Sequence, residues 1–234
     1  AARQLAQLPL DGGSGWTAKA AQTPIAVLPL YNPQRVSSTN VVPGLIGVIL
    51  TMTMVMFTAM AIVRERERGN LELLITTPVS SGELMVGKVL PYVAVGLVQV
   101  TLVLLLGAWL FAVPIRGTLA AVYGASLLLI VANLALGLLV STLSKSQFQA
   151  MQMAFFLFLP SILLSGFMFP FDGMPKAAQW IAEALPMTHF VRLIRGVMLR
   201  GAGLLDLWPS VLALAVFTVA MMGLAMLRFR KRLD

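Results

Sequence analysis

Nucleophilic or acid–base chemistry in this 234-residue chain would have to begin from very few side chains, since it holds one histidine and no cysteine. The hydroxyl of Ser165, followed by Gly166, and the imidazole of His189 form the one serine–histidine combination that could hydrolyse an acyl bond. Such a pair needs a third group to orient the base, and none is evident beside His189, whose neighbours on the helical face are Arg192, Arg195 and Arg200. Scattered carboxylates around one histidine do not make a metal site, so no metal is expected. No glycine-rich phosphate loop occurs, so the chain is expected to bind no ATP or other cofactor by itself. Without cysteine there are no disulfides or thiolate sites. The chemistry is therefore sparse, and the elements around it say more.

Those elements are apolar. Hydrophobic residues make up 59% of the chain, charged residues 11%, and the mean hydropathy is +0.89. Soluble domains carry about 25% charged residues. Five apolar runs, residues 41–63, 89–113, 118–143, 148–171 and 207–227, are each near or above the length that crosses a bilayer core. The fold class read from this pattern is an all-α polytopic membrane protein. Residues 114–117 join the second and third runs into a tight hairpin, and Ser144-Lys145-Ser146-Gln147 turns the third into the fourth. Pro91 and Pro160 are predicted to kink their spans. Residues 1–40 read as loops, with Pro9, Pro24, Pro29, Pro33 and a Gly-rich turn at residues 11–15, and one short strand at residues 26–31. A polar, Pro- and Gly-containing start without Met is expected to be the end of a larger soluble region.

The spans contain no Asp, Glu, Lys, Arg or His. Carriers driven by an ion gradient keep ionisable groups inside the bilayer to bind the coupling ion. Gln99, Asn133, Gln149 and Gln152 are the amides here, and such groups more often join helices than line a path. Any transport by this chain thus calls for an energy source outside it. The net charge of +8 suits lipid headgroups and topology rather than nucleic acid. The cluster Arg228-Phe229-Arg230-Lys231-Arg232 directly follows a span and is expected to stay cytoplasmic. With five spans, the elbow at residues 64–88 and Lys145 are then inside, while residues 1–40, Arg116 and residues 172–206 are outside.

The elbow, RERERGNLELLITTPVSSGELMVGK, is the longest polar interruption between the spans. Arg64-Glu65-Arg66-Glu67-Arg68 is predicted to continue the first helix, with opposite charges three apart at Arg64/Glu67 and Glu65/Arg68. Gly69-Asn70 ends it, residues 71–77 form a short helix closed by Pro78, and Ser80 with Glu83 gives a capping box for the next helix. Leu71, Leu74 and Ile75 would present an apolar face in need of a partner groove. On the other side, residues 187–200 place His189, Arg192, Arg195 and Arg200 on one helical face and Phe190, Val191, Ile194, Val197 and Met198 on the other. That predicts an amphipathic helix lying at, or dipping into, the outer membrane interface.

The elbow resembles the E-R-E-x-G-T-[LM]-E-x-L-x-x-[ST]-P…GK stretch of type-2 ATP-binding-cassette (ABC) exporter permeases of the multidrug type. VPGLIGVIL in the first span, LLSGFMFPFDGMP after the fourth and LPMTHFVRLIRGVMLRG before the last match in spacing and kind, so the resemblance covers residues 31–234. Asn70 departs from the family's usual Thr, and both can cap a helix. The resemblance implies a permease of six spans, with one span upstream and a sizeable extracytoplasmic domain ending in residues 1–40; residues 41–234 would be the transmembrane domain. It implies that Leu71, Glu72, Leu74, Ile75, Thr77 and Pro78 form a coupling helix docked on a cytoplasmic ABC ATPase subunit. ATP and Mg would be bound there. Residues 187–200 would belong to the external re-entrant or interfacial helices. A second permease, identical or a related paralogue, is implied, in a multi-pass arrangement in the bacterial inner membrane. Some members also work with periplasmic adaptors. A membrane anchor for a cytoplasmic partner and an intramembrane serine protease built on Ser165 and His189 are the alternative readings. The cargo is not legible.

Overall fold

The structure, a computed structural model, describes residues 37–69, 81–111, 113 and 115–228, with side chains from residue 41 in the first helix and residue 87 in the second. Five long helices form the bundle: α1 (Ser37–Glu67), α2 (Ser81–Phe111), α3 (Leu119–Leu143), α4 (Gln147–Leu164) and, last in the chain, α7 (Trp208–Arg228). Between α4 and α7 the chain forms a 3₁₀ turn (Phe171–Gly173), α5 (Lys176–Glu183), α6 (Pro186–Arg195) and a π-helical turn (Gly196–Arg200). Each long helix is long and apolar enough to cross a membrane, and the chain is a multi-pass membrane protein. Short polar turns set the helix boundaries. Thr118 caps α3 by accepting the Ala121 N–H at 3.2 Å, and Ser146 caps α4 by accepting that of Gln149 at 3.2 Å.

Helix α3 is the axis of the bundle, packing against α1, α2, α4, α6 and α7. In its most apolar stretch 61% is buried, against 50% for α1 and 17–22% for α2, α4 and α7. The core gathers Leu50, Met54, Leu129, Ile130, Leu134 and Leu138 with Phe190 and Ile194 of α6. The tightest crossing is α1 on α3. A Cβ on Gly137 would stand 2.9 Å from the Val55 carbonyl oxygen and 2.8 Å from Thr58 Cβ, so only glycine allows this approach. Polar stitches reinforce it. Asn133 Nδ2 donates to Thr51 Oγ1 at 3.2 Å, and Thr53 Oγ1 lies 2.9 Å from Gln99 Oε1 of α2. Thr101 and Tyr123 share a 2.8 Å hydrogen bond between α2 and α3.

Two expectations change. The fourth span, expected over residues 148–171, is helical only through Leu164, because Gly166 takes a left-handed conformation (φ +81°) and Pro170 follows. The first helix begins at Ser37, inside the stretch read as loop; Pro43, Pro91 and Pro160 all lie within continuous helices. Residues 187–200 form an amphipathic helical run, α6 followed directly by the π turn, and its apolar face packs on α1, α3 and α7. Met187, Thr188, Phe190, Leu193, Ile194 and Val197 are fully buried there. The side chains opposite its cations are large and apolar, and burying them among helices removes that surface from water.

Candidate functional site

At the elbow end of the bundle, the last turn of α1 is tied to three neighbouring segments. Glu65 pairs with Lys88 near the start of α2, so the two ends of the elbow are joined. Arg66 donates to the carbonyl of Ser144, the residue that caps α3. Glu67, the last residue of α1, accepts the backbone N–H of Gln147 at 2.9 Å and its side-chain amide as well. Gln147 is the first residue of α4, whose leading N–H groups have no partner within the helix, so a carboxylate there is favoured by both hydrogen bonding and the helix dipole. The expected Arg64/Glu67 and Glu65/Arg68 ion pairs are not formed. Both carboxylates instead reach across to other helices, Glu65 to a half-buried Lys88 and Glu67 to the exposed head of α4. Leu71, Glu72, Leu74, Ile75, Thr77, Pro78 and Ser80 lie outside the described residues, as does the side chain of Glu83.

Above this clamp, α1 and α4 enclose a cleft of about 380 Å³. Met52 and Met56 line it from α1, and Met151, Gln152, Ala154, Phe155, Phe156 and Phe158 from α4. Flexible thioethers facing aromatic rings, with one amide, make a surface that adapts to apolar shapes. Sequence reading did not find this cleft. Its residues look like any apolar span residues, and only the packing of α1 beside α4 shows that they face one space.

At the opposite end, the sequence-predicted cations converge on a residue the sequence did not single out, Glu183 of α5. Arg192 donates to its two carboxylate oxygens at 2.6 and 3.0 Å, and His189 Nε2 lies 2.9 Å from its backbone oxygen. The Arg192 guanidinium also covers the Phe171 ring at 4.4 Å. These hydrogen bonds, and the charge of Arg192, hold the Glu183 carboxyl below the usual glutamate range although partial burial pulls the other way. Arg195 donates to the Gly166 carbonyl at 3.0 Å, tying α6 to the end of α4. Arg200 is exposed and outside this network. Ser165 and His189 are not brought together: the Ser165 hydroxyl meets the Ile162 carbonyl and the Phe167 N–H, while His189 faces Glu183.

Comparison with known proteins agrees with this layout. The family described as "ABC-2 family transporter protein" matches residues 5–227. Among similar proteins, "Probable multidrug ABC transporter permease YbhS" of Escherichia coli (strain K12) is 35% identical over 87% of this chain and 54% of its own length. "Probable multidrug ABC transporter permease YbhR" of the same organism is 33% identical over 86% of this chain and 55% of its own length. "Inner membrane transport permease YhhJ", also from that strain, is 34% identical over 80% and 51%. The chain thus spans about half the length of the curated relatives it matches. A bundle of long apolar helices with a polar elbow, matched over nearly its whole length, places the chain in a family: it belongs to the ABC-2 family of transporter proteins.

Proposed function

We propose that the chain is the membrane-spanning part of a permease subunit of an ATP-driven exporter, powered by a separate cytoplasmic ABC ATPase. The observation that carries this is the absence of Asp, Glu, Lys, Arg and His from the apolar runs 41–63, 89–113, 118–143, 148–171 and 207–227. Such runs lack the charged side chains that usually bind and release a coupling proton or ion, which favours force supplied by a partner. The elbow is where that partner acts, through Leu71, Glu72, Leu74, Ile75, Thr77 and Pro78, with Glu72 as a polar contact and the others as the docked face. ATP and Mg stay on the partner, and this chain performs no catalysis. A second permease, identical or related, stands beside the α1–α4 cleft, and apolar cargo leaves along that interface. The elbow end is cytoplasmic and the α5–α6 end is external, in the bacterial inner membrane. Relatives named as multidrug and inner-membrane permeases support this reading.

Leu74→Asp tests it. An unpaired carboxylate pressed into an apolar groove costs several kcal/mol, so coupling should fall by about tenfold or more. The expected result is a protein that still reaches the membrane but no longer stimulates ATP hydrolysis or export in the reconstituted complex. Survival of both activities would show that the joint is elsewhere.

A further inference from the structure

We infer that the last turn of α1 is the transmission element between the elbow and the wall of the cleft, with Glu67 as the positioning residue that moves α4. This rests on the reading of the elbow as the ATPase joint. The Glu65–Lys88 pair closes the elbow across its base, so a push on the elbow is not dissipated by α1 and α2 splaying apart there. The force arrives instead at the α1 tail, where Glu67 holds the first residue of α4 by two hydrogen bonds, one of them to the Gln147 N–H at 2.9 Å. Arg66 holds the Ser144 carbonyl at the start of the same turn, which keeps the α3 end in register with the tail.

The two sides of this joint differ in rigidity. Helix α1 is locked on α3 by the close approach at Gly137 and the Asn133–Thr51 bond, both deep in the bundle. Helix α4 buries little of itself; Ala150, Ala154 and Ser161 are its buried residues. It is therefore the wall with room to move. One turn beyond Gln147 it presents Met151 and Gln152, then Phe155 and Phe156, to the cleft. A shift of the α1 tail delivered through Glu67 to the head of α4 would open or close that space.

The experiment uses the full-length permease with its ATPase in proteoliposomes, any other cysteine replaced, and Phe156→Cys as a reporter on the exposed wall of α4. The measurement is the change in its rate of modification by a maleimide when ATP and vanadate are added. Glu67→Ala should reduce that change by about two- to fivefold, the worth of one exposed polar contact. The exchange Glu67→Gln with Gln147→Glu, which restores an amide–carboxylate pair, should recover it; a merely structural role would not be rescued this way. An unaltered ATP response in Glu67→Ala overturns the inference, as does failure of the exchange to restore it. Should Glu67→Ala fail to assemble, Glu67→Gln and the exchange variant carry the same comparison. Leu74→Asp is run alongside. If it alone silences the reporter, transmission through Glu67 is wrong; if it too leaves the response intact, the ATPase-joint reading falls and the inference with it.

Discussion

Glu183 is held by side chains drawn from two later turns of the chain. Arg192 binds both of its oxygens, His189 lies 3.7 Å from Oε2, and the Arg192 guanidinium is itself backed by the Phe171 ring. Its carboxyl titrates lower when folded than when unfolded, chiefly because the Arg192 hydrogen bonds favour the charged form. The sign follows from linkage. A depressed carboxylate adds stability above its unfolded pKa of about 4.3, and that stability is lost as pH falls through the folded value. Acidification from about pH 5 downward should therefore loosen α5 from α6. Protection of the amides across residues 176–195, taken relative to their intrinsic exchange rate at each pH, should fall in that window. Glu183→Gln should exchange faster at neutral pH and respond less to acid. Equal acid responses in both proteins would show that the bidentate pair does not hold the two helices together.

At the scale of elements, the α1–α3 crossing is the contact on which the bundle depends. Gly137→Val would drive a branched side chain into the Val55 backbone, and overpacking of this kind costs about 1–3 kcal/mol. Gly223→Val is the control, since nothing lies within 4 Å of a Cβ there. Reversible unfolding in mixed micelles should separate the two by about that amount, with Gly137→Val the weaker protein. Neither glycine is distinguishable by sequence. Hydropathy alone located all five spans and the two short turns between α2, α3 and α4, because twenty apolar residues have few other fates in a bilayer. The cations of α6 were also legible, since they repeat at helical spacing. Their partner was not: nothing local in the sequence shows that Glu183 stands across the turn at Pro186. In the same way Glu65 and Glu67 read as satisfied within their own helix, while their partners Lys88 and Gln147 lie 23 and 80 residues away in sequence. Local patterns reveal periodicity. They do not reveal which distant polar groups the packing of α3 brings near.

For the whole molecule, the proposed function turns on which end faces the cytoplasm. Five spans put the two ends of the described bundle on opposite sides, with Lys145 and the α1 tail at one and Trp180, Leu205 and Trp208 at the other. Basic residues occur at both ends, so charge count alone is a weak guide; the clustering of Arg64, Arg66 and Arg68 directly against α1 is the stronger signal, as is Arg228 with the basic residues after it. Arg64, Arg66, Arg68 and Arg228 all lie at the elbow end. Trp109, Trp180 and Trp208 are all exposed at the far end, at the level where indole rings favour a membrane–water boundary. The orientation can be tested directly, since this stretch contains no cysteine of its own. Lys145→Cys and Leu205→Cys, each placed in the full-length protein freed of other cysteines, are treated in intact spheroplasts with a membrane-impermeant maleimide. Leu205→Cys, at a position 88% exposed, should react at once. Lys145→Cys should react only after permeabilisation. The reverse pattern would put the elbow outside, where no cytoplasmic ATPase can reach it. In that event a chain with no ionisable group in its spans would be left without a source of work, and the exporter reading would have to be abandoned together with the role given to Glu67.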